Sequence, residues 1–497
     1  MDENRGVPGH HSLAPNALKL VFVLAVALYA AVLFTHTAEA AGGSDSSGYA
    51  NEARQISRGI VDERIAELDQ FGLDDSFSLA FTPLGYVSMR PRYVTTTYPP
   101  GMPMHMALAG ALFGFKHAPF YVSVVAAIAG VILFALLALY LFDSWWIATG
   151  AAFALGLCAS YMFIAIQTMS DVLTTTWTIA AMGAALKSRD DERWAFVAGI
   201  SFAATVWIRP SNAVLGLALL YALPWTKKAL AFCVAGGAIL AIPLLAWNAK
   251  HYGNALTTGY GSAGYLFGVD NFPSHAVHYL RWTAELLTPL VLIGAICSII
   301  RARRERIHHV LALWFWSVFV FYCFFGPYEA WWYTRFLLPA YPAIILSTIY
   351  AARAINSRAV AVALLLIPIP SIYFAAHFDM LQNTHVDQAI YPDTIRWIRG
   401  EVPRDALLIT VGFSGARKYY DDRFSLRYDL LDEEHRQILE QKVAADRWWL
   451  VVADYDALDA MTRLGGRWTK IAELRNVWLL HRDPNGSLSS NSMKGAS

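Results

Sequence analysis

Residues 98–115, Tyr-Pro-Pro-Gly-Met-Pro-Met-His-Met-Ala-Leu-Ala-Gly-Ala-Leu-Phe-Gly-Phe, decide how the whole chain is threaded. The apolar part, 102–115, is about 14 residues long. At roughly 1.5 Å per residue it is too short to cross about 30 Å of hydrocarbon. Pro99 and Pro100 stiffen its start, so it reads as an interfacial helix lying along the membrane surface. The charge pattern agrees. With 102–115 left out, eleven apolar spans remain: about 16–37, 119–142, 145–166, 172–186, 194–208, 213–225, 229–247, 280–300, 310–325, 336–352 and 359–374. The clusters Lys187/Arg189/Arg193, Lys227/Lys228, Arg301/Arg303/Arg304/Arg306 and Arg353/Arg358 then all fall on one side, the cytoplasmic side by the positive-inside rule. Counting 102–115 as a span puts most of them outside.

Composition supports the same class. The chain has 497 residues, 56% hydrophobic and 15% charged, where a soluble protein carries roughly a quarter charged. This is a polytopic α-helical membrane protein. A net charge of +1 with no basic low-complexity tract gives no footing for nucleic acid. The cysteines Cys158, Cys233, Cys297 and Cys323 lie inside apolar runs without CxxC spacing, so neither a disulfide framework nor a zinc knuckle is expected. The segment 18–34 has an Ala-rich exit at Ala38–Ala41, but with ten spans behind it we read a retained first helix, not a cleaved leader.

Four regions follow. Residues 1–15 form a cytoplasmic tail. Residues 16–377 are the transmembrane part, with a first extracytoplasmic loop at 42–118 that carries the interfacial helix. Residues 378–483 form an extracytoplasmic α/β domain, and 484–497 a Ser/Asn/Gly-rich disordered tail. In the α/β part, charge rises and apolar runs shrink to strand length at 407–411, 449–453, 468–474 and 477–481. Helical patterns lie between or before them at 393–399 and 432–445.

The first span leads into Ala-Gly-Gly-Ser-Asp-Ser-Ser-Gly-Tyr-Ala, residues 41–50, and a helix is expected from Tyr49 to Ile60. Asp45 therefore sits at a membrane–water boundary, as a general base for an acceptor hydroxyl or as a plain helix cap. Asp171, in Met169-Ser170-Asp171, opens a short span, where an acid suits the helix dipole with or without a site. Both acids are expected at one face and depth, positioned to share an acceptor hydroxyl or a divalent metal. Arg209 (Trp-Ile-Arg-Pro) and Arg335 (Trp-Trp-Tyr-Thr-Arg-Phe-Leu-Leu-Pro) are embedded in apolar sequence, so each is a phosphate or carboxylate partner or a snorkelling anchor. Arg90 and Arg92, close before Tyr98, are candidates for the same anion site or simple surface charge, and Tyr98 is placed with that group. His105, and His275 with His278, are metal candidates by residue type, against a solvated or core role. No P-loop, GxSxG elbow or GxGxxG turn is present, so a nucleotide-dependent mechanism has no visible site.

These motifs, in this order and with this sidedness, resemble the GT-C glycosyltransferases. The likeness is to the protein O-mannosyltransferase and aminoarabinose transferase branch, over about residues 16–483. The resemblance implies inverting transfer of a sugar from a polyprenyl-phosphate donor to a protein, lipid or polysaccharide acceptor on the extracytoplasmic face of a cell membrane. Asp45 matches the first-loop acid to which that family assigns the catalytic base, and Asp171 a second acid at a helix start. Arg335 occupies the place of a basic residue near the donor phosphate. Many relatives carry adjacent acids in the first loop, whereas Ser46 follows Asp45 here, which leaves the metal (Asp45, Asp171 or His105 as ligands) and the acceptor open. The alternative reading is a lipid or glycolipid transporter or flippase. It calls for internal repeats and charges paired at mid-membrane, and neither is seen.

Overall fold

A computed structural model describes residues 15–261, 263–326 and 330–484. All of the tail 484–497 but its first residue, and all of 1–15 but its last, therefore lie outside the described residues. Six helices are long and apolar enough to cross a membrane: Asn16–His36, Ala118–Phe142, Lys227–Tyr252, Arg306–Cys323, Trp331–Arg353 and Ser357–His377. Two bent pairs, Trp145–Gly156 with Ala159–Ala165 (66°) and Val269–Leu287 with Pro289–Ala302 (117°), raise the number to eight if each pair is one span.

Length and apolarity thus mark six to eight spans among the described residues against the eleven expected, and the backbone shows where the expected spans bend or fall short. At 145–166, Cys158 turns out of the helical region (φ −62°, ψ 126°) and starts a new short helix. At 280–300, Thr288 precedes Pro289, whose ring disfavours helical backbone in the residue before it. Thr288 takes φ 73° and ψ 152°, and the chain turns sharply. Trp194–Ile208 and Pro210–Ala222 are apolar but shorter than a membrane crossing. The interfacial piece forms a 13-residue apolar helix, Gly101–Phe113.

The basic clusters do share one end of the bundle. Arg189 Nε donates to the Ala222 carbonyl (2.9 Å), and Arg306 Nη2 donates to the carbonyls of Tyr221 (2.7 Å) and Leu223 (2.7 Å). Lys228 pairs with Glu192 (3.4 Å), and Arg301 Nη1 donates to the Tyr350 carbonyl. The helix Asp171–Lys187 has its acid at one end and its lysine at this basic end, 17 residues and about 25 Å away. The notable acids therefore lie at the opposite end.

Beyond that opposite end sit two small sheets. Glu63–Arg64, Tyr93–Thr96 and Tyr86–Arg90 form an antiparallel sheet within the first loop, with Tyr93–Thr96 in the middle. The C-terminal part builds a four-stranded sheet in the order Leu407–Ile409, Trp448–Ala453, Val477–Arg482, Trp468–Leu474, its first pair parallel and the rest antiparallel. The helix expected at 393–399 runs instead from Met380 to Glu401, through Pro392, and that at 432–445 is Glu433–Lys442. Two further helices, Ser414–Asp421 and Ala457–Leu464, had no period long enough to see.

The first loop and the C-terminal sheet are joined in one core. Ile65, Leu68, Phe77, Phe81 and Val94 pack with Leu407, Ile409, Trp448 and Leu450. Polar contacts close the seam: Arg427 N–H donates to the Ala80 carbonyl (2.7 Å), Phe424 N–H to Glu67 Oε1 (2.9 Å), and Lys418 Nζ lies 2.5 Å from Glu63 Oε2. The loop that carries Asp45 is thus braced from behind by residues more than 300 positions away.

Candidate active site

The helix after the first span starts four residues earlier than its hydropathy suggested, at Asp45, with Ser44 as N-cap. The Asp45 side chain does not cap it. Its Oδ1 accepts a hydrogen bond from Tyr98 Oη (2.8 Å), and its Oδ2 pairs with Arg335 Nη1 (3.0 Å). Since Tyr98 spends its one proton on Asp45, Ser44 Oγ, 2.8 Å away, is the donor to Tyr98. These groups open on a cavity of about 490 Å³ whose lining includes Asp45, Tyr49, Tyr98, Arg209, Tyr322 and Arg335. The Asp45 side chain is 29% exposed, so a reactant in the cavity can reach it.

Burial pushes the Asp45 carboxyl up, but Arg335, the Tyr98 hydrogen bond and Arg209 together outweigh it and hold it below the ordinary carboxylate value. Burial, and then the Asp45 charge, push the Tyr98 phenol well above its usual range, so it stays a donor.

Asp171 behaves differently. It opens the helix Asp171–Lys187 at 1% side-chain exposure, and Arg209 Nη2 lies 2.9 Å from its Oδ1. Neither Asp171 oxygen accepts an aligned hydrogen bond, so the contact is a charge pair rather than a fork. Arg209 sits where the helix Trp194–Ile208 ends before Pro210, in extended backbone. Its guanidinium also reaches Ser170 Oγ and Tyr322 Oη, each at 3.4 Å. Ser170 in turn bonds Tyr49 Oη (2.9 Å), and the rings of Tyr49 and Tyr98 meet at 4.6 Å. Both arginines lie over the ring of Phe336, at 4.9 and 5.1 Å from its centroid. One network therefore runs from Arg209 and Asp171 to Asp45 and Arg335.

Arg92 and His105 are not brought to this cavity. Arg92 sits at φ 64° in a turn, pairs with Asp69 (2.6 Å) and Asp75, and donates to the Leu73 carbonyl (2.9 Å), which ties down the first loop. Arg90 pairs with Asp62 (2.8 Å) and lies over the Tyr93 ring. His105 holds the Gly101 carbonyl through Nδ1 (2.7 Å) and takes the Trp177 indole N–H at Nε2 (3.2 Å), in an apolar groove beside Leu108 and Leu112. Both ring nitrogens are used. Tyr98 lines the cavity, but its hydroxyl faces the acid. Among the described residues no three His, Cys, Asp or Glu side chains gather into a metal-binding set. Both site acids already face guanidinium groups, so these residues do not fit a metal centre.

Sequence reasoning missed Tyr49, Tyr322 and Phe336. Tyr49 had a usable signal, four residues after Asp45 on the same helix face. Tyr322 and Phe336 are ordinary aromatic residues of apolar runs, and only packing makes them cavity walls.

Close approach of backbone shapes the wall behind Tyr98. Gly85 has φ +83°, and a Cβ on it would lie 2.7 Å from the Cα of Gly48; a Cβ on Gly48 would lie 2.2 Å from the Tyr98 ring. Gly48→Ala is therefore expected to displace Tyr98 from Asp45. The check is the acid limb of the activity–pH profile, which should rise as one hydrogen bond to the carboxylate is lost, with membrane insertion retained.

No family model and no curated relative matches the sequence. Solved structures do match in shape. ArnT from Cupriavidus metallidurans, bound to undecaprenyl phosphate, superposes with TM-score 0.60 at 13% identity, over 94% of this chain and 98% of that one. The archaeal oligosaccharyltransferase AglB from Archaeoglobus fulgidus, in complex with an inhibitory peptide and a dolichol-phosphate, gives 0.51 at 12% identity, over 89% and 71%. With the bundle, the braced first loop and the acid–arginine cavity in the same chain, the likeness leads to one conclusion: this protein has the GT-C fold.

Proposed function

We propose that this protein is a membrane glycosyltransferase that moves a sugar from a polyprenyl-phosphate donor to an acceptor on the extracytoplasmic face, with inversion. The observation that carries the reading is a cavity-facing carboxylate, Asp45, set beside two guanidinium groups, Arg335 and Arg209, in one wall. The lipids bound by the two structural neighbours, undecaprenyl phosphate and dolichol-phosphate, are polyprenyl phosphates, the class of molecule that the proposed reaction would release.

In this scheme Asp45 accepts the proton of the acceptor nucleophile as the new glycosidic bond forms at the anomeric carbon. The bond from that carbon to the phosphate oxygen breaks on the opposite face. The departing polyprenyl phosphate gains a charge, which Arg335 and Arg209 stabilise in a water-poor site. Asp171, sealed from the cavity, positions Arg209 rather than exchanging protons.

The resting pair between Arg335 and Asp45 gives the scheme an order. A donor phosphate competes for Arg335, which lifts the restraint on Asp45 and makes it a stronger base when the donor is present. Asp171→Asn is expected to raise the KM for the lipid donor while leaving the acid limb of the pH profile in place. Steady-state kinetics with a polyprenyl-phosphate sugar measure both. The decisive test of the whole reading is mass spectrometry of envelope glycans and glycoproteins from a deletion strain, joined to proteoliposome assays. A missing sugar restored by the wild-type gene supports it, and lipid transport without transfer overturns it.

A further inference from the structure

The C-terminal part holds a second polar cavity, about 600 Å³, where the end of the helix Met380–Glu401 meets the helix Ser414–Asp421. Four arginines line it, Arg399, Arg404, Arg417 and Arg423, against one carboxylate, Asp421, and no aromatic side chain. The rest of the wall is aliphatic.

The local partners do not balance these charges. Arg399 is held by Asp421 Oδ1 (2.8 Å) and by the Tyr420 carbonyl. Arg423 donates to the Arg404 carbonyl (2.6 Å) and lies 3.9 Å from Glu67, whose Oε1 already accepts the Phe424 N–H. Arg417 is 4% exposed. Its Nη1 donates to the Phe424 carbonyl and Ser425 Oγ, both at 3.0 Å. Its Nε is buried without a hydrogen-bond partner among the described residues, with Asp421 Oδ2 no nearer than 3.7 Å. The Arg404 side chain makes no ion pair or hydrogen bond among the described residues. The neighbouring acids are engaged elsewhere: Asp422 with Lys418 (2.7 Å) and Asp405 with Arg447 (3.7 Å). Burial, and then the charge of Arg423, hold the Arg417 guanidinium down to about 10. It stays protonated at neutral pH, at a cost that an incoming anion removes.

From this arrangement we infer that the cavity is a binding site for a phosphate-class oxyanion, separate from the transfer site. Four guanidinium groups against Asp421 in the wall and Glu67 behind Arg423 leave an excess of two positive charges, which matches a phosphate dianion. Guanidinium forks fit its tetrahedral oxygens in bidentate fashion. A nucleotide is disfavoured, because no aromatic ring offers a stacking surface. The ligand is either free phosphate or a phosphomonoester lipid headgroup, and the site chemistry, a phosphate dianion, is the same for both.

The test is calorimetric titration of the full-length protein in detergent with inorganic phosphate, in a phosphate-free buffer at low salt. Arg335→Ala protein is run in parallel, because the transfer cavity also carries arginines. Saturable binding is expected in both proteins, weakened at least tenfold by Arg404→Gln and by Arg423→Gln. Arg404 is exposed, so its substitution leaves the core intact, and a thermal melt verifies this. In a second arm, nanodiscs of phosphatidylcholine with and without phosphatidic acid distinguish the sources. Competition by the anionic lipid assigns a headgroup, and its absence assigns free phosphate. No saturable binding, binding unchanged in both arginine variants, or binding lost in Arg335→Ala would each overturn the site.

Discussion

Asp45→Asn is expected to lower sugar transfer by roughly 10²–10⁴-fold, the range a positioned general base supplies. The loss should appear in kcat rather than in the KM for the donor. The substitution keeps the size of the side chain and leaves an oxygen for the Tyr98 hydroxyl, so the helix Asp45–Arg58 and its packing should survive. What goes is the charge opposite Arg335 and the capacity to take a proton. Removing one partner of a part-buried ion pair leaves the other charge uncompensated, so a modest fall in thermal stability is also expected. Assays with a purified lipid-linked donor, read beside expression and membrane insertion, separate the two effects. Full transfer by the asparagine variant would remove Asp45 from the chemistry.

Arg335→Ala is expected to raise the donor KM about 10–100-fold. That range corresponds to the ~1.5–3 kcal/mol of a hydrogen bond to a charged group, at about 1.4 kcal/mol per tenfold. The acceptor KM should change little. The same substitution carries a second signature. In the wild type, Arg335 is the leading influence that holds Asp45 below the ordinary carboxylate value against burial. Asp45 is active when ionised, so activity is lost as pH falls through its pKa. Without Arg335 that pKa rises, and the acid limb of kcat/KM moves to higher pH. In the wild type the acid limb of kcat should already lie above that of kcat/KM, because bound donor draws Arg335 away. A variant with an unchanged acid limb and unchanged donor KM would make Arg335 an interfacial anchor only.

Much of this site was legible before folding was considered. Asp45 stood out because a Gly-Gly-Ser turn follows a long apolar span, and Arg209 and Arg335 because a charge inside apolar sequence needs a partner. The partner choices were not legible. Arg92 and Arg335 are the same residue type near aromatic residues, yet Arg92 meets Asp69 and Asp75 within its own loop, while Arg335 crosses the bundle to Asp45. His105 has a ligand's chemistry, but a carbonyl and an indole occupy both nitrogens. The two acids also looked alike, each at a helix start on one face. Packing seals Asp171 and leaves Asp45 open to the cavity.

Hydropathy and charge order, read along the chain, were enough to determine a membrane-embedded helical bundle, the grouping of its basic clusters at one end, and acids at the other. These are local properties, set by span length against bilayer thickness and by which residues tolerate lipid. Only the tertiary structure decided that two expected spans are broken, at Cys158 and Thr288, and that the first loop and the C-terminal sheet share one core. It also paired Asp45 with Arg335. Burial and ion pairing depend on contacts between segments hundreds of residues apart, and no local period encodes them.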